Sequence, residues 1–295
     1  MTTGGIRYSF GGDEWLLAEL APEMSFVANL RATAITRRLN QRRPEGIVEV
    51  CPSNASYQVR FDPERLDPRQ LLELLRELEG EVSDVTKLSL STRILELPVF
   101  YRDPWTHEIM MRFRDYHQEP TLTDSEYAAR INGFADADEF EAAHTGSPWF
   151  TSMMGFVAGV PWLYQMVPRA RQLVVPKYVR PRTATPALTI GHGGCFGCIY
   201  SVPGAGGFQM FGITPAPIYD PLQRGPDFAD FVAFFRPGDI VKYRAIARDE
   251  YDAIRADVEA GHYRIRQHPV TLDVGAYLAD PDASNARLTG ALDGD

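Results

Sequence analysis

The stretch LVVPKYVRPRTATPALTIGHGGCFGCIYSVPGAGGFQMFGITPAPIYD, from Leu173 to Asp220, decides what kind of fold this chain adopts. It is crowded with glycine and proline, carries few charges, and alternates short apolar runs with turn-forming dipeptides. Glycine and proline at this density exclude a helix. The runs LTI, CIY and GFQMFGI are typical of short strands. An apolar stretch of this length without a helix predicts the core of a small β-barrel.

The composition around this stretch is that of a globular protein. The chain has 295 residues, of which 44% are hydrophobic and 11% aromatic, so it is long enough to bury a core. Its net charge is −9, and no stripe of Lys and Arg is present to neutralise phosphates, so we expect no nucleic-acid partner. The basic cluster Ile35–Arg43 is interpreted as the solvated end of a helix.

Cysteine content and hydropathy favour a cytoplasmic protein. Three cysteines, an odd number in a chain of this size, do not form a disulfide framework, which favours a reducing compartment. We find no charged leader followed by an apolar run and no apolar segment of membrane-spanning length. We therefore expect no secretion signal and no membrane partner.

The first part of the chain predicts a small α+β domain over residues 1–92. Leu71, Leu74, Leu75 and Leu78 have the i, i+3, i+4, i+7 spacing of a helix that ends near Gly80. The predicted elements follow the order β-β-α-β-β-α: Ile6–Phe10, Glu14–Leu20, Ser25–Arg43, Gly46–Pro52, Ser56–Asp62 and a helix from Asp67 to Gly80. This order favours a sandwich of the ferredoxin-like type.

The remaining chain predicts a β-barrel domain over residues 93–247 and a C-terminal segment over residues 248–295. Between the strand at 93–100 and the glycine-rich stretch lie three predicted helices, one of them with Asp124 as its N-cap and Gly133 at its end. The C-terminal segment predicts a helix capped by Gly261, a strand, and a loose polar tail from Asp280.

Cys195 and Cys198 form a Cys-x-x-Cys pair, which raises the possibility of a zinc or redox site. A structural zinc site needs a second pair of ligands, and the other cysteine and the histidines lack the spacing for one. A redox pair is typical of a helix N-terminus, whereas these residues lie in a β-rich run. Ordinary buried cysteines, and no bound metal, are the favoured interpretation.

The other chemical candidates in the stretch are a histidine and two cations. His192, between glycines, is either a general base or a structural turn residue, and the second is favoured because no carboxylate is near in sequence. Lys177 and Arg182, with Tyr178 and Arg180 between them, lie in a proline-rich loop that has no acidic residue. They are interpreted equally well as a solvated barrel rim or as a clamp for an anion or carboxylate.

The chain contains the segments RINGF, PKYxxPRTxTP and GGCFGCIYxxxGxGGFQ. They resemble the first half of the carboxyltransferase region of urea carboxylase and are typical of that branch. The same family includes allophanate hydrolase subunit 1, the kinase inhibitor KipI and the B subunit of 5-oxoprolinase. Shorter oxoprolinase-type members lack the insertion around Arg102 to Ser125. They usually carry Gln-Thr-Gly where this chain has Phe196-Gly197-Cys198.

This resemblance implies a cyclophilin-like β-barrel after the α+β domain. It also implies a second homologous barrel subunit as partner, of the type of allophanate hydrolase subunit 2 or the C subunit of 5-oxoprolinase, with the active site where the two meet. Biotin carboxylase and biotin carrier proteins would be further partners, because no biotin-attachment site or ATP-binding region is found in this chain. Biotin and ATP are therefore expected on partner subunits.

The reaction implied is transfer of CO2 from carboxybiotin to the nitrogen of a urea-like or amide substrate. Lys177 and Arg182 would hold the carboxylate or ureido oxygen, and Tyr178 or Tyr200 would hydrogen-bond the substrate. Backbone N–H groups from Gly193 to Gly197 would stabilise the oxyanion. The further expected substrate contacts are Gly193, Gly194, Gly206, Gly207 and His192.

One position departs from the family pattern. Ile213 stands where relatives usually have Arg, which implies either a different substrate or lost activity. Three functions remain compatible with the resemblance: a carboxyltransferase subunit, a subunit of an ATP-dependent lactam hydrolase like 5-oxoprolinase, and a non-catalytic regulator like KipI.

Overall fold

A computed structural model describes residues 5–294 and shows a mixed fold of strands and helices. The strands are β1 (Arg7–Phe10), β2 (Trp15–Glu19), β3 (Ile47–Pro52), β4 (Ser56–Phe61), β5 (Ser89–Tyr101), β6 (Trp149–Met154), β7 (Pro161–Gln165), β8 (Arg182–Thr185), β9 (Thr189–Gly193), β10 (Phe196–Ile199), β11 (Gly204–Gly206), β12 (Gln209–Ile213), β13 (Ile240–Ala245) and β14 (Gln267–Asp273). The helices are α1 (Phe26–Arg42), α2 (Pro68–Glu81), α3 (Pro104–Arg112), α4 (Asp124–Asn132), α5 (Ala137–Gly146), α6 (Arg248–Glu259), α7 (Val274–Ala279) and α8 (Pro281–Gly290).

The backbone divides into two units. The first is Met1–Ser91 with Thr271–Asp280, of which residues 5 onward are described. The second is Thr92–Val270 with Pro281–Asp295, described up to residue 294. The chain therefore returns to the first unit, with α7, after most of the second is complete.

The first unit contains a four-stranded antiparallel sheet in the order β1-β2-β4-β3. Along β4, Tyr57, Val59 and Phe61 are buried and alternate with more exposed residues, the period of a half-buried strand. In α2, Asp67 caps the helix by accepting a hydrogen bond from the Arg69 N–H. The predicted order of elements in this unit is confirmed.

The second unit contains a sheet that closes on itself. Its order is β12-β9-β10-β7-β6-β13-β5-β14, and β12 also pairs with β5, so the seven strands from β12 to β5 form a ring. The β13–β5 pair is parallel. The three apolar runs in the stretch from Leu173 to Asp220 supply β9, β10 and β12, as predicted. A separate two-stranded sheet joins β8 to β11.

The N-terminus of α4 differs from the prediction by one residue, and the difference matters for the site. The N-cap is Thr123, whose hydroxyl accepts from the Glu126 N–H while the Glu126 carboxylate accepts from the Thr123 N–H. This reciprocal pair satisfies the helix end. Asp124 is therefore not the cap, and its carboxylate is buried.

The prediction of a loose tail from Asp280 is wrong. Residues Pro281–Gly290 form α8, and the Asn285 amide donates a hydrogen bond to the Met166 carbonyl. Leu288 and Leu292 are buried. The tail looks polar in sequence, but these few apolar side chains and one buried amide hold it against the second unit.

No helix among residues 5–294 combines the length and the apolar character needed to cross a membrane.

Candidate functional site

Four of the predicted site residues meet between β8 and β11. The Tyr178 N–H donates to the Gly207 carbonyl over 2.7 Å, which ties the loop before β8 to the glycine-rich segment after β11. Within the two-stranded sheet, Gly206 is paired with Arg182. The structure therefore brings Tyr178, Arg182, Gly206 and Gly207 together at one place in the second unit.

Arg182 is a fully buried cation. Its side chain is 0% exposed, and its Cζ atom lies 4.4 Å from the centre of the Tyr178 ring. Its Nη2 atom lies 3.3 Å from Thr185 Oγ1, whereas Nε and Nη1 have no hydrogen-bond partner within residues 5–294. A buried charge is costly unless an opposite charge or several hydrogen bonds compensate it. Arg182 is thus suited to receive an anionic group.

Lys177 lies at the exposed side of the group formed by Tyr178, Arg182, Gly206 and Gly207. Its Nζ atom is 5.0 Å from the centre of the Phe208 ring, a cation–π contact. Burial raises the pKa of the Cys198 thiol to about 12, and Arg182 and Lys177 both oppose that rise. The two cations therefore lie close to one buried thiol, which stays protonated at neutral pH and is not a nucleophile.

Tyr200 lies against the glycines of the same segment. A Cβ atom at Gly206 would overlap the Tyr200 hydroxyl, so glycine is needed for this close approach. Burial raises the pKa of Tyr200, and Arg182 opposes the rise, which places the cation beside that hydroxyl. Tyr200 therefore joins Tyr178 and Arg182 in the site.

Asp124 is a site residue that the sequence reasoning missed. Its carboxylate, 0% exposed, accepts hydrogen bonds from the Tyr178 hydroxyl at 2.8 and 2.9 Å, from Arg114 Nη1 at 2.7 Å and from the Met210 N–H at 2.8 Å. These donors belong to three separate parts of the chain. The hydrogen bonds of this one buried carboxylate therefore join those three parts of the chain.

The Tyr178 hydroxyl is committed to Asp124. Burial raises the pKa of Tyr178, and the neighbouring Asp124 carboxylate raises it further. The hydroxyl therefore keeps its proton and directs it at Asp124. It is the ring of Tyr178, rather than its hydroxyl, that faces Arg182.

The buried ionisable residues around Tyr178 carry a net positive charge. Arg114 and Asp124 form a buried ion pair at 2.7 Å. His117, whose Nε2 lies 2.9 Å from Gln209 Oε1, has its pKa lowered by burial and by Arg114, so it is neutral at pH 7. Arg182 is therefore the surplus positive charge of this buried group.

Gly193, Gly194 and His192 lie on the neighbouring hairpin of β9 and β10. Gly194 has φ +64°, a left-handed conformation that favours glycine, and its N–H donates to the Val175 carbonyl. That N–H is consequently engaged within the fold. Gly193 packs against the Phe208 ring, which links it to the Lys177 side of the site.

The His192 side chain is in the barrel core and not beside the cations. Its ring packs against Trp149, His144 and Phe211, and its Nε2–H donates to the Leu173 carbonyl at 3.1 Å. Burial lowers its pKa to about 4. The imidazole is neutral and fully buried, which suits a structural role.

This buried histidine predicts a loss of stability in acid. The folded pKa of about 4 lies below the unfolded value of about 6.5, so the unfolded chain takes up the proton first as the pH falls. The stabilisation that comes from keeping His192 neutral is present above pH 6.5 and is lost between about pH 6.5 and 4. Between pH 7 and pH 5 we expect a loss of roughly 2 kcal/mol from His192. His144 shifts in the same direction.

Urea unfolding at pH 7 and pH 5, followed by tryptophan fluorescence, measures this loss. His192→Gln should lose less stability over that interval than the natural protein. His262→Gln, at an exposed position, is the matched control and should keep the natural pH dependence. An unchanged slope in His192→Gln would show that the imidazole is not kept neutral by the fold.

The Cys-x-x-Cys pair carries no metal site in the structure. Cys195 is half-buried, Cys198 is buried, and both are free thiols. Within residues 5–294, no group of three or more His, Cys, Asp or Glu side chains is arranged to hold a metal ion.

Ile213, where the family resemblance leads us to expect Arg, is buried in an apolar cluster with Ile246 and Tyr251. Ile213 is thus surrounded by hydrophobic side chains, whereas Arg182 lies beside the Thr185 hydroxyl.

The sequence of this chain is similar to those of proteins that contain a carboxyltransferase domain. The family model of the carboxyltransferase domain, subdomain C and D, matches residues 6–229. The chain is 24% identical over 293 residues to a urea amidolyase of Saccharomyces cerevisiae, which covers 98% of this chain and 16% of that protein. It is 23% identical over 263 residues to the 5-oxoprolinase B subunit of Bacillus subtilis, covering 85% of this chain and 98% of that protein.

The urea carboxylase of Kluyveromyces lactis has the same fold over this region. Its crystal structure superposes with a TM-score of 0.79 at 23% identity, over 98% of this chain and 26% of the other. The chain thus spans about a sixth to a quarter of the length of these larger enzymes. With the family model matching most of its length, this chain belongs to the carboxyltransferase domain family, subdomain C and D.

Proposed function

We propose that this chain is the first half of the carboxyltransferase in a split, biotin-dependent carboxylase that acts on a urea-like or amide nitrogen. The observation that carries the proposal is Arg182, a fully buried guanidinium that has a surplus positive charge and two nitrogens without a hydrogen-bond partner among residues 5–294. A carboxylate matches the guanidinium in charge and in its paired oxygen acceptors. Family membership supports carboxyl transfer as the reaction in which that group takes part.

In this proposal Arg182 and Lys177 bind the oxygens of the transferred carboxyl group. Biotin, bound to a carrier protein, would supply that group in activated form, after ATP-dependent loading on a biotin carboxylase. Because Arg182 is fully buried, the carboxyl group reaches it only after the residues that cover it move. The exposed Lys177 would then make the first contact. The Tyr200 hydroxyl would hydrogen-bond the substrate.

The expected oxyanion contacts from the Gly193–Gly197 loop stay part of the proposal, except for the Gly194 N–H, which already donates a hydrogen bond to the Val175 carbonyl.

We also propose that the closed sheet of the second unit is a cyclophilin-like barrel and that the first unit is of the ferredoxin-like type. A second, homologous barrel subunit would complete the active site. The free cysteines are in keeping with a cytoplasmic complex.

One observation favours a second candidate. The chain matches 98% of the length of a 5-oxoprolinase B subunit, as expected if it functions as a separate subunit of that kind. In that case the complex would open a lactam or amide with ATP and without biotin. Arg182 would then bind the carboxylate of the substrate itself.

The experiment that separates these functions is a pull-down of the tagged chain from its native host, probed with streptavidin. A biotinylated protein in the complex supports the carboxylase. A second barrel subunit without biotin overturns it in favour of the ATP-dependent hydrolase. A chain that is recovered alone contradicts both enzymes and favours a non-catalytic regulator.

A further inference from the structure

We propose that Asp124 and Tyr178 are positioning residues, which together hold the Arg182 guanidinium ready for an anionic group. The inference rests on the proposed function, in which Arg182 contacts the carboxyl group. It adds two residues whose own atoms do not contact the substrate. Asp124 is the one that no sequence motif indicated.

Asp124 is held from several directions. Its Oδ1 accepts from Arg114 Nη1 at 2.7 Å, and its Oδ2 accepts from the Met210 N–H of β12 at 2.8 Å. Asp124 itself begins α4, whose end is closed by the Thr123 cap. Since a helix, a strand and a buried arginine all meet at this carboxylate, it has no room to turn.

Tyr178 is fixed at both ends. At its backbone, the N–H donates to the Gly207 carbonyl at 2.7 Å. At the far end of the ring, the hydroxyl lies 2.8 and 2.9 Å from the two oxygens of Asp124. A side chain bound at both ends keeps one ring orientation. The face of that ring is what lies 4.4 Å from Arg182.

Arg182 depends on this ring for its own placement. Its contact with Thr185 is a long one, 3.3 Å, and long polar contacts are weak restraints. The cation–π contact with a fixed ring restrains the guanidinium plane, while Nε and Nη1 have no hydrogen-bond partner in the described part of the chain. An arginine that is already oriented loses less freedom when it binds an anion. Loss of the Asp124–Tyr178 contact should therefore weaken the binding of the anionic group, seen in KM, more than it lowers kcat.

The test is Tyr178→Phe in the complex purified from the native host. The substitution keeps the ring and removes the hydroxyl that binds Asp124. Its readout is ATP-dependent fixation of ¹⁴C-bicarbonate into urea with the concentration of added biotin carrier protein varied, or ATP-dependent opening of 5-oxoproline if the complex lacks biotin. We expect KM for the carrier protein, which delivers the carboxyl group, or for 5-oxoproline, to rise about tenfold, the loss of one charge-assisted hydrogen bond, with a smaller change in kcat. Tyr178→Leu, which also removes the ring, should raise KM further.

Tyr164→Phe is the matched control. Its buried hydroxyl donates to Gln172 Oε1 at 2.9 Å, outside this cluster. The control should leave KM unchanged, because a merely structural loss lowers the amount of active protein and not the affinity. If Tyr178→Phe and Tyr164→Phe give the same KM, the positioning role is wrong. The proposed function is tested separately, by the streptavidin pull-down and by variants of Arg182 itself, so its failure and that of the positioning role are distinguishable.

Discussion

Arg182→Met should abolish carboxyl transfer while leaving the isolated chain at least as stable as the natural protein. Most substitutions of a fully buried residue destabilise a fold, but here the side chain removed is a cation, and two of its nitrogens have no hydrogen-bond partner within residues 5–294. Replacing buried charges by apolar side chains of similar volume is often neutral or stabilising, by about 1–4 kcal/mol. Activity needs the charge and stability does not, so the two measurements should move in opposite directions.

The measurements are the rate of ¹⁴C-bicarbonate fixation by the native complex and the urea midpoint of the chain alone. Lys177→Ala should also abolish transfer and leave folding and assembly intact, because Lys177 is exposed and its ammonium group lies over the face of the Phe208 ring. Full activity in both variants would remove these cations from the site. A large loss of stability in Arg182→Met would show that the guanidinium is compensated within the fold and is not reserved for a ligand.

Asp124→Asn is the substitution from which we expect the largest loss of stability. It removes one charge from the buried pair with Arg114, whose side chain is 8% exposed. It also places an N–H₂ group where the carboxylate accepts from Tyr178 and from the Met210 N–H. Breaking a buried ion pair by removing one partner costs about 3–5 kcal/mol. The expected result is a large decrease in the urea midpoint of the second unit.

Asp252→Asn is the matched control for this prediction. Asp252 pairs with Arg248 at 2.6 Å, but both side chains are about half exposed. Ion pairs of this kind contribute about 0–1 kcal/mol. If the two variants have similar midpoints, the Asp124 carboxylate does not hold the second unit together. Tyr178→Phe, which keeps the Arg114 pair, should be intermediate between them.

The sequence was sufficient where a short pattern determines a local structure. The alternation in β4, the leucine spacing of α2 and the glycine-rich runs of β9, β10 and β12 each predict their element without reference to the rest of the chain. The resemblance to the carboxyltransferase family rested on the same runs and is confirmed by the match to residues 6–229. Within the site, the sequence also identified Lys177, Tyr178 and Arg182 as unusual, because charges are rare in that stretch.

The predictions that were wrong depended on burial. Asp124 looked like a helix cap, since aspartate before an apolar run commonly is one. Thr123 takes that role with Glu126, and this releases Asp124 into the interior. The C-terminal residues looked like a solvated tail, but a few apolar contacts and the Asn285 hydrogen bond order them as α8. In both cases the local composition is compatible with a buried segment and with a solvent-exposed one.

Sequence alone therefore predicted the elements named above, the family and the two cations of the candidate site. Only the tertiary structure decided that Arg182 is buried with no ion pair to any of residues 5–294, and that the Tyr178 hydroxyl donates to Asp124. The Tyr178–Asp124 and Met210–Asp124 hydrogen bonds join residues 54 and 86 positions apart. No periodicity or spacing reports contacts of that range, because they arise from how the helices pack on the closed sheet. The free energy of a buried charge depends on those neighbours and not on the residues beside it in the chain.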